Sequence, residues 1–461
     1  MRFSNNLSFL LLSFVISTTR ELPAQTDSAP AAPLDLEAAV AVALQHSPAM
    51  RSVHAAQEAA EAAEREARSL YLPALRLQET LTRSDNPVFA FGSKLEQGRF
   101  SVGDFALDAL NQPEPLTNLR SSFQVHANLF DLSQRPGRIS AARAAAISAG
   151  AGALAAEQQT RFATIAAYLD VLAAGGQVGS AQASLETASA ETQRLEALYQ
   201  EGLVVESDLL SAQVAQAAFQ QELIAAQGAL QVAKAQLADV LGIRPAPELA
   251  QHELVDPVLP SLDPDELLRA ARERHPAIQQ RQSELEAAQS GKHYAAMELA
   301  PRLDGFAQWG YSSEALSGGS GDYALGLELV WDLFAPGRAD RLAVADARLQ
   351  IAEVQRDAQL SRVETAITAA LADQATALAQ LAVAREAENQ AERALAIVRE
   401  RHAAGLSTIT ELLSAQSALS DARQRRRLAR HGALLGYALA LLAAGRLEDV
   451  SPIAHALGAA P

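Results

Sequence analysis

From Leu75 to Thr82 the chain alternates, with Leu75, Leu77 and Leu81 on one side and Arg76, Gln78, Thr80 and Thr82 on the other. The same period returns from Ser122 to Phe130, where Phe123, Val125, Ala127 and Leu129 oppose Ser122, Gln124, His126 and Asn128. Much later, Leu303, Gly305, Ala307, Trp309 and Tyr311 oppose Arg302, Asp304 and Gln308. Then Tyr323, Leu325, Leu327, Leu329 and Trp331 oppose Glu328 and Asp332. A period of two marks a strand with one apolar face, so strands are predicted at about 74–82, 121–130, 302–311 and 322–332.

Elsewhere the period is helical. Residues 139–201 and 339–404 contain no proline, and each can form a helix of roughly 95 Å at about 1.5 Å per residue. After the first, Leu209, Ala212, Gln216, Phe219, Leu223, Ala226, Leu230, Ala233, Leu237 and Val240 recur in steps of three and four. That is a coiled-coil seam with small residues at alternate positions. Two hairpins of long helices are therefore predicted, 139–241 and 339–444.

The pattern is written twice. The stretch Gly202–Gln213 (GLVVESDLLSAQ) returns as Gly405–Gln416 (GLSTITELLSAQ). Leu34, Pro48 and Pro73 match Leu262, Pro276 and Pro301, and the Pro-Gly-Arg at Pro136 matches that at Pro336. A duplicated chain is solved as a repeat: 34–241 and 262–447 form two copies of helix, strand, loop, strand and hairpin, joined by 242–261 and followed by a tail at 448–461. Within each first helical segment, Ser47 before Pro48 and His275 before Pro276 mark a break and a restart, the serine as a cap and the prolines in the first turn.

Composition narrows the classes. A net charge of −16 and a pI near 5.1 exclude a nucleic-acid partner, which needs a basic face. Only 5% of the 461 residues are aromatic, meagre for several compact cores. Arg2, an apolar run from Leu7 to Ile16 and the small Ala24 read as an export signal over 1–24, followed by a linker at 25–33. No cysteine is present, so disulfides, thiol chemistry and lipid attachment at cysteine are excluded. Beyond the signal no apolar run of about 18 residues is expected, hence no transmembrane helix. No histidine pair has HxH or HExxH spacing, and no P-loop, GxGxxG after a strand or GxSxG elbow occurs. No metal, cofactor or catalytic residue is predicted, and the chain does not read as an enzyme. The run Arg423, Arg425, Arg426, Arg427 and Arg430 places all but Arg425 on one helical face, expected to pair with glutamates of a neighbouring helix.

The strands by themselves fit either a soluble sheet with one buried face or a membrane barrel. In the barrel, Trp309, Tyr311, Tyr323 and Trp331 are interface aromatics. Four strands cannot close a barrel, which needs about eight, so a barrel requires several chains. The hairpins alone fit a solvated coiled-coil spacer as well.

The doubled plan, the prolines before each strand pair, the Pro-Gly-Arg and the Gly-Leu turn before a Leu-Leu-x-Ala-Gln helix resemble TolC-like outer membrane efflux proteins. Asn86–Phe100 (NPVFAFGSKLEQGRF) and Asp104–Pro113 (DFALDALNQP) look like the first loop of that family, and the likeness spans about Leu34 to Leu447. The resemblance implies an α+β membrane protein. Three chains, each giving four strands, would close a twelve-stranded β-barrel in the outer membrane, continuous with a long periplasmic α-helical coiled-coil barrel. The loops Arg83–Leu119 and Ser312–Gly321 would face outside the cell.

The partners implied are two further copies, a periplasmic adaptor, an inner-membrane pump and outer-membrane lipid. Function would be passive conduction as the exit duct of a tripartite efflux system, or alternatively of type I protein secretion. From another class, a periplasmic coiled-coil tether or scaffold remains. Gly202, Leu203, Gly405 and Leu406 would be adaptor-docking tips. Glu411 and Asp208 would form the periplasmic constriction, Glu411 as a ring of three carboxylates. Where some members tie neighbouring hairpins shut with arginine and tyrosine, this chain has Ser407 and His402, and a second acidic position is Ser414. His402 reaching Ser207 or Asp208 is the expected closed-state contact.

Overall fold

The computed structural model describes residues 33–245, 247–249, 256–316, 318–448 and 450–457. The expected export signal at 1–24 lies outside them, as do most of the 25–33 linker and parts of 242–261 and 448–461. In chain order the elements are α1 (Leu36–His46), α2 (Pro48–Ser69), β1 (Ala74–Ser84), α3 (Pro87–Glu96), a 3-10 turn (Val102–Phe105), α4 (Leu107–Asn111), β2 (Leu116–Phe130), α5 (Gln134–Gln200) and α6 (Glu206–Leu241). The second repeat gives α7 (Pro264–Arg274), α8 (Pro276–Ala296), β3 (Arg302–Ser313), β4 (Gly319–Val330), α9 (Arg338–Ala403), α10 (Ile409–Ala443) and α11 (Ser451–Ala456).

The four strands make one antiparallel sheet in the order β1-β2-β3-β4. Its register lays apolar residues in rows: Leu75–Val125–Ala307–Leu325, then Leu77–Phe123–Trp309–Tyr323. Leu75, Leu77, Tyr323, Leu325, Leu327 and Leu329 are each at least 64% exposed, so none of the described residues covers this face. The next row, Glu79–Ser121–Tyr311–Gly321, is polar. Ser121 donates to the Glu79 carboxylate at 2.7 Å, which interrupts the apolar band before the Leu81–Leu119 pair. Adjacent positions point to the opposite, polar face: Arg76, Gln124 and Gln308 in one row, Gln78, Ser122 and Asp322 in another.

At their loop ends the strands run further than the alternation predicts, while β4 stops at Val330, short of the predicted 332. β1 continues to Ser84, β2 starts at Leu116, β3 ends at Ser313 and β4 spans Gly319–Val330, so the expected loops at Arg83–Leu119 and Ser312–Gly321 are shorter. The pair Arg83 with Thr117 lies beyond the apolar band, where neither face need be apolar and the period of two vanishes. Trp331 falls just past β4, its indole N–H donating to the Leu299 carbonyl at 3.0 Å. Trp309 stands within β3.

The helical hairpins are long and lie side by side. The seam of α6 is its buried face: Leu209, Ala212, Leu223, Ala226, Ala233 and Leu237 are buried, and Gln216, Phe219, Leu230 and Val240 half-buried. One apolar cluster joins both repeats midway along the helices, with Tyr168, Leu36, Leu237, Leu241, Leu267, Ile367, Leu434 and Leu447 almost fully buried. α5 and α9 each hold an 18-residue window with mean hydropathy of 1.3, enough to cross a membrane by length and composition. That corrects the expectation of no such run: alanine-rich helices raise mean hydropathy without bulky side chains. Only 17% and 22% of these windows is buried.

Candidate functional site

At the hairpin tips the sequence dictates the turn. Gly202 and Gly405 adopt φ of 76° and 74°, a left-handed conformation that costs glycine little. Gly202 N–H donates to the Tyr199 carbonyl and Leu203 N–H to Leu198; Gly405 N–H donates to His402 and Leu406 N–H to Arg401. Both are Schellman motifs, which satisfy the last carbonyls of α5 and α9. Beyond each turn an apolar side chain is left outside, Leu203 at 66% and Leu406 at 70% exposure.

The returning helices start differently. Thr408 caps α10, its hydroxyl accepting the Glu411 amide at 3.3 Å. The exposed Glu411 carboxylate accepts the Ser407 hydroxyl at 2.5 Å. Val205 precedes α6 with no side-chain cap, and Asp208 is half-buried in its first turn. A carboxylate in a first turn is favoured by the helix dipole, so both acids fit their local structure as well as a constriction.

His402 does not reach Ser207 or Asp208 within the chain. Its Nδ1 lies 3.0 Å from the Ser407 carbonyl and its Nε2 3.5 Å from Glu191 Oε1 on α5. An apolar cluster of Leu195, Leu209, Leu395, Ile409 and Leu412 packs the two tips together. The Ser207 carbonyl accepts the Ser211 hydroxyl at 2.7 Å, and Ser414 is exposed. Glu191 is the tip residue that sequence reasoning missed, because helical spacing cannot show a contact made between two hairpins.

Higher up α10, the arginines bind more than helix partners. Arg423 meets Glu392 at 2.9 Å and Arg426 meets Glu388 at 3.1 Å, both on α9. Arg426 and Arg430 also clasp Asp256 of the connection between repeats, at 2.9 and 2.5 Å. Partial burial alone would raise the Asp256 pKa, but these two guanidiniums hold it below the ordinary value of 3.8. Arg427 turns to α5, where it donates to Ser180 at 2.7 Å and to Gln177.

Aromatic side chains mark both ends of the sheet's apolar band. Tyr71, Phe130, Trp331 and Phe334 are exposed at the end that meets the helices. Trp309, Tyr311 and Tyr323 stand toward the β3–β4 turn, with Trp309 and Tyr311 stacked at 6.4 Å. Two girdles flanking an apolar band is the layout of a transmembrane barrel wall.

Residues 39–243 and 267–436 match the family described as Outer membrane efflux protein. The chain belongs to that family. Protein CyaE of Bordetella pertussis is 31% identical over 426 residues, spanning 89% of this chain and 84% of the relative. Among solved structures, the outer membrane protein VceC of Vibrio cholerae superposes with a TM-score of 0.71 at 22% identity, over 89% of this chain and 96% of that one. The open-state MtrE outer membrane channel of Neisseria gonorrhoeae gives 0.72 at 17% identity, over 90% and 89%. At such identities the likeness is one of fold.

Proposed function

We propose that three copies of this chain close one twelve-stranded barrel in the outer membrane and that their hairpins form a periplasmic tunnel, the exit duct of a tripartite efflux system. The carrying observation is the sheet. Among the described residues both edge strands, β1 and β4, lack a partner on one side, and the apolar face is bare from Leu75 to Leu329. Unpaired strand edges are not tolerated in lipid, and an exposed apolar face is not tolerated in water. Pairing β4 of one protomer with β1 of the next removes the edges, and lipid covers the apolar face. Light scattering of detergent-extracted protein is expected to give a three-chain particle, whereas a soluble monomer in plain buffer would replace the duct with the scaffold reading.

In this duct Leu203 and Leu406 present apolar knobs to a periplasmic adaptor, which links the tunnel to an inner-membrane pump. The partner that co-purifies on the tips separates efflux from type I protein secretion. Glu411, repeated by the threefold axis, forms the ring that favours cations at the periplasmic end. Glu411→Gln is expected to reduce cation preference and relieve block by multivalent cations in planar bilayers. Unchanged reversal potentials and unchanged block would remove Glu411 from the constriction.

A further inference from the structure

The first loop folds into a helix that lies on the wrong face of the sheet for a surface decoration. In α3, Asn86 accepts the Val88 and Phe89 amides at 3.0 and 3.1 Å, and Pro87 fills the first turn. Ala90, Ser93 and the following Gln97 are buried against the sheet. Gln97 donates to the Thr117 carbonyl at 3.0 Å and to the Asn118 side chain at 2.9 Å. Glu96 meets Arg120 at 3.2 Å, and Arg120 also holds Asp322 at 3.1 Å. Asn118, Arg120 and Asp322 all belong to the polar face, opposite the bare apolar rows. Gly310 leaves room for this latch, since a Cβ there would meet Arg120 Nη2 at 2.8 Å and Asp322 Oδ1 at 2.9 Å.

On a barrel whose apolar face meets lipid, the polar face is the lumen. α3 therefore sits inside the mouth, at the end remote from the helical hairpins. The side of α3 turned away from the wall is not polar: Val88 is 81% and Leu95 50% exposed. Gly92 lies between them on that side with nothing within 4 Å of a Cβ position. Helical spacing puts these three on one stripe, and an apolar stripe facing a water-filled lumen is unfavourable unless covered. The segment is braced in place: Phe91 and Phe100 pack edge to face at 4.8 Å, Phe100 and Phe105 at 5.1 Å. Lys94 pairs with Asp104 at 2.7 Å, and its hydrogen bond, with those of Ser101, holds the Asp104 carboxyl down at about 2.

Twelve strands about 4.8 Å apart and tilted about 40° enclose a barrel roughly 24 Å across between backbones. Three helices about 10 Å thick, packed around one axis, span about 20 Å. We propose that α3 is an outer plug. Three copies, one from each protomer, meet through Val88, Gly92 and Leu95 on the axis and close the mouth, each latched to its wall by Glu96, Arg120 and Asp322. This rests on the trimeric duct, and it adds a second closure at the end opposite the hairpin tips.

The natural chain has no cysteine, so Leu95→Cys and Val88→Cys each introduce a single thiol. Oxidation in isolated outer membranes is expected to yield a two-chain band on non-reducing gels for either variant, while Val258→Cys, on the connection between repeats, stays a single chain. Leu95→Asp, which sets three carboxylates face to face, is expected to raise single-channel conductance about twofold or more. Should the detergent particle not contain three chains, the duct and the plug both fall. A three-chain channel with neither thiol cross-linked, or with cross-links but Leu95→Asp conductance unchanged, removes the plug and leaves the duct standing.

Discussion

In the first repeat, the break between α1 and α2 is capped by Ser47 Oγ, which accepts the Met50 amide at 3.1 Å. In the second, between α7 and α8, His275 Nδ1 accepts the Ala277 amide at 3.2 Å. Against each break packs the glycine that ends the returning helix, Gly242 on Ser47 and Gly445 on His275. Both glycines are left-handed, with φ of 71° and 68°, and both complete Schellman motifs. The backbone joint has thus been kept through duplication while the atoms filling it have changed. The hairpins diverged in the same manner. At the same distance from the tip glycines, α10 carries Arg423, Arg426, Arg427 and Arg430 where α6 carries Gln220, Leu223, Ile224 and Gln227. The strand-to-helix corners differ too. Asp131 caps α5 through the amides of Ser133, Gln134 and Arg135, whereas α9 begins after a left-handed Gly337.

Substituting the joint glycines is the most forceful way to break this symmetry. A Cβ at position 242 would stand 2.4 Å from the His46 carbonyl oxygen and 2.9 Å from its carbon. These are backbone atoms that cannot step aside. At position 445 the nearest contacts are 3.1 Å to the His275 ring and 3.2 Å to the Pro276 ring. Both alanines carry left-handed strain of about 1–2 kcal/mol. Only Gly242→Ala adds a backbone collision, for a total of about 3 kcal/mol or more. Thermal unfolding of the two variants is expected to rank them in that order, and equal losses would mean that the first joint relaxes as easily as the second.

Next in size is the arginine clasp, which the first repeat lacks. Asp256→Asn removes a charge hydrogen-bonded by Arg426 and Arg430 and is expected to cost about 1–2 kcal/mol. Limited proteolysis should then cut faster within the connection 242–261. Because the folded pKa of Asp256 lies below 3.8, its contribution is complete above pH 3.8 and is lost as pH falls through the folded value. The variant's stability should accordingly approach that of the natural chain in acid. A constant gap down to pH 2 would show that the clasp acts through shape rather than charge.

Periodicity carries the strands and the coiled-coil seam, because each is fixed by which face must leave water. It failed where burial is not the constraint. The extra turns of β1 and β2 lie past the apolar band, and the partner of His402 comes from another hairpin. α3 was legible and passed over: Asn86 followed by Pro87 is a cap with proline in the first turn, the same signal as Ser47 with Pro48. The Asp256 clasp left no trace, since nothing in the spacing of Arg426 and Arg430 names a residue about 170 positions earlier.

The smallest expected effect separates the two caps by pH. Ser47 cannot titrate, but His275 must keep Nδ1 unprotonated to accept the Ala277 amide, and burial lowers its pKa below 6.5. Since the unfolded chain then takes up the proton first, the stability that His275 contributes is complete above pH 6.5 and shrinks as pH falls toward the folded value. At pH 5.5 the loss is at most about 1.4 kcal/mol per protomer. Hydrogen exchange should report it as faster opening of the first turn of α8, with the first turn of α2 unchanged. His275→Ser, which copies the first repeat's cap into the second, is expected to abolish the difference. If α8 still opens faster than α2 in that variant at pH 5.5, the sensitivity belongs to another group, and the two joints differ in more than their caps.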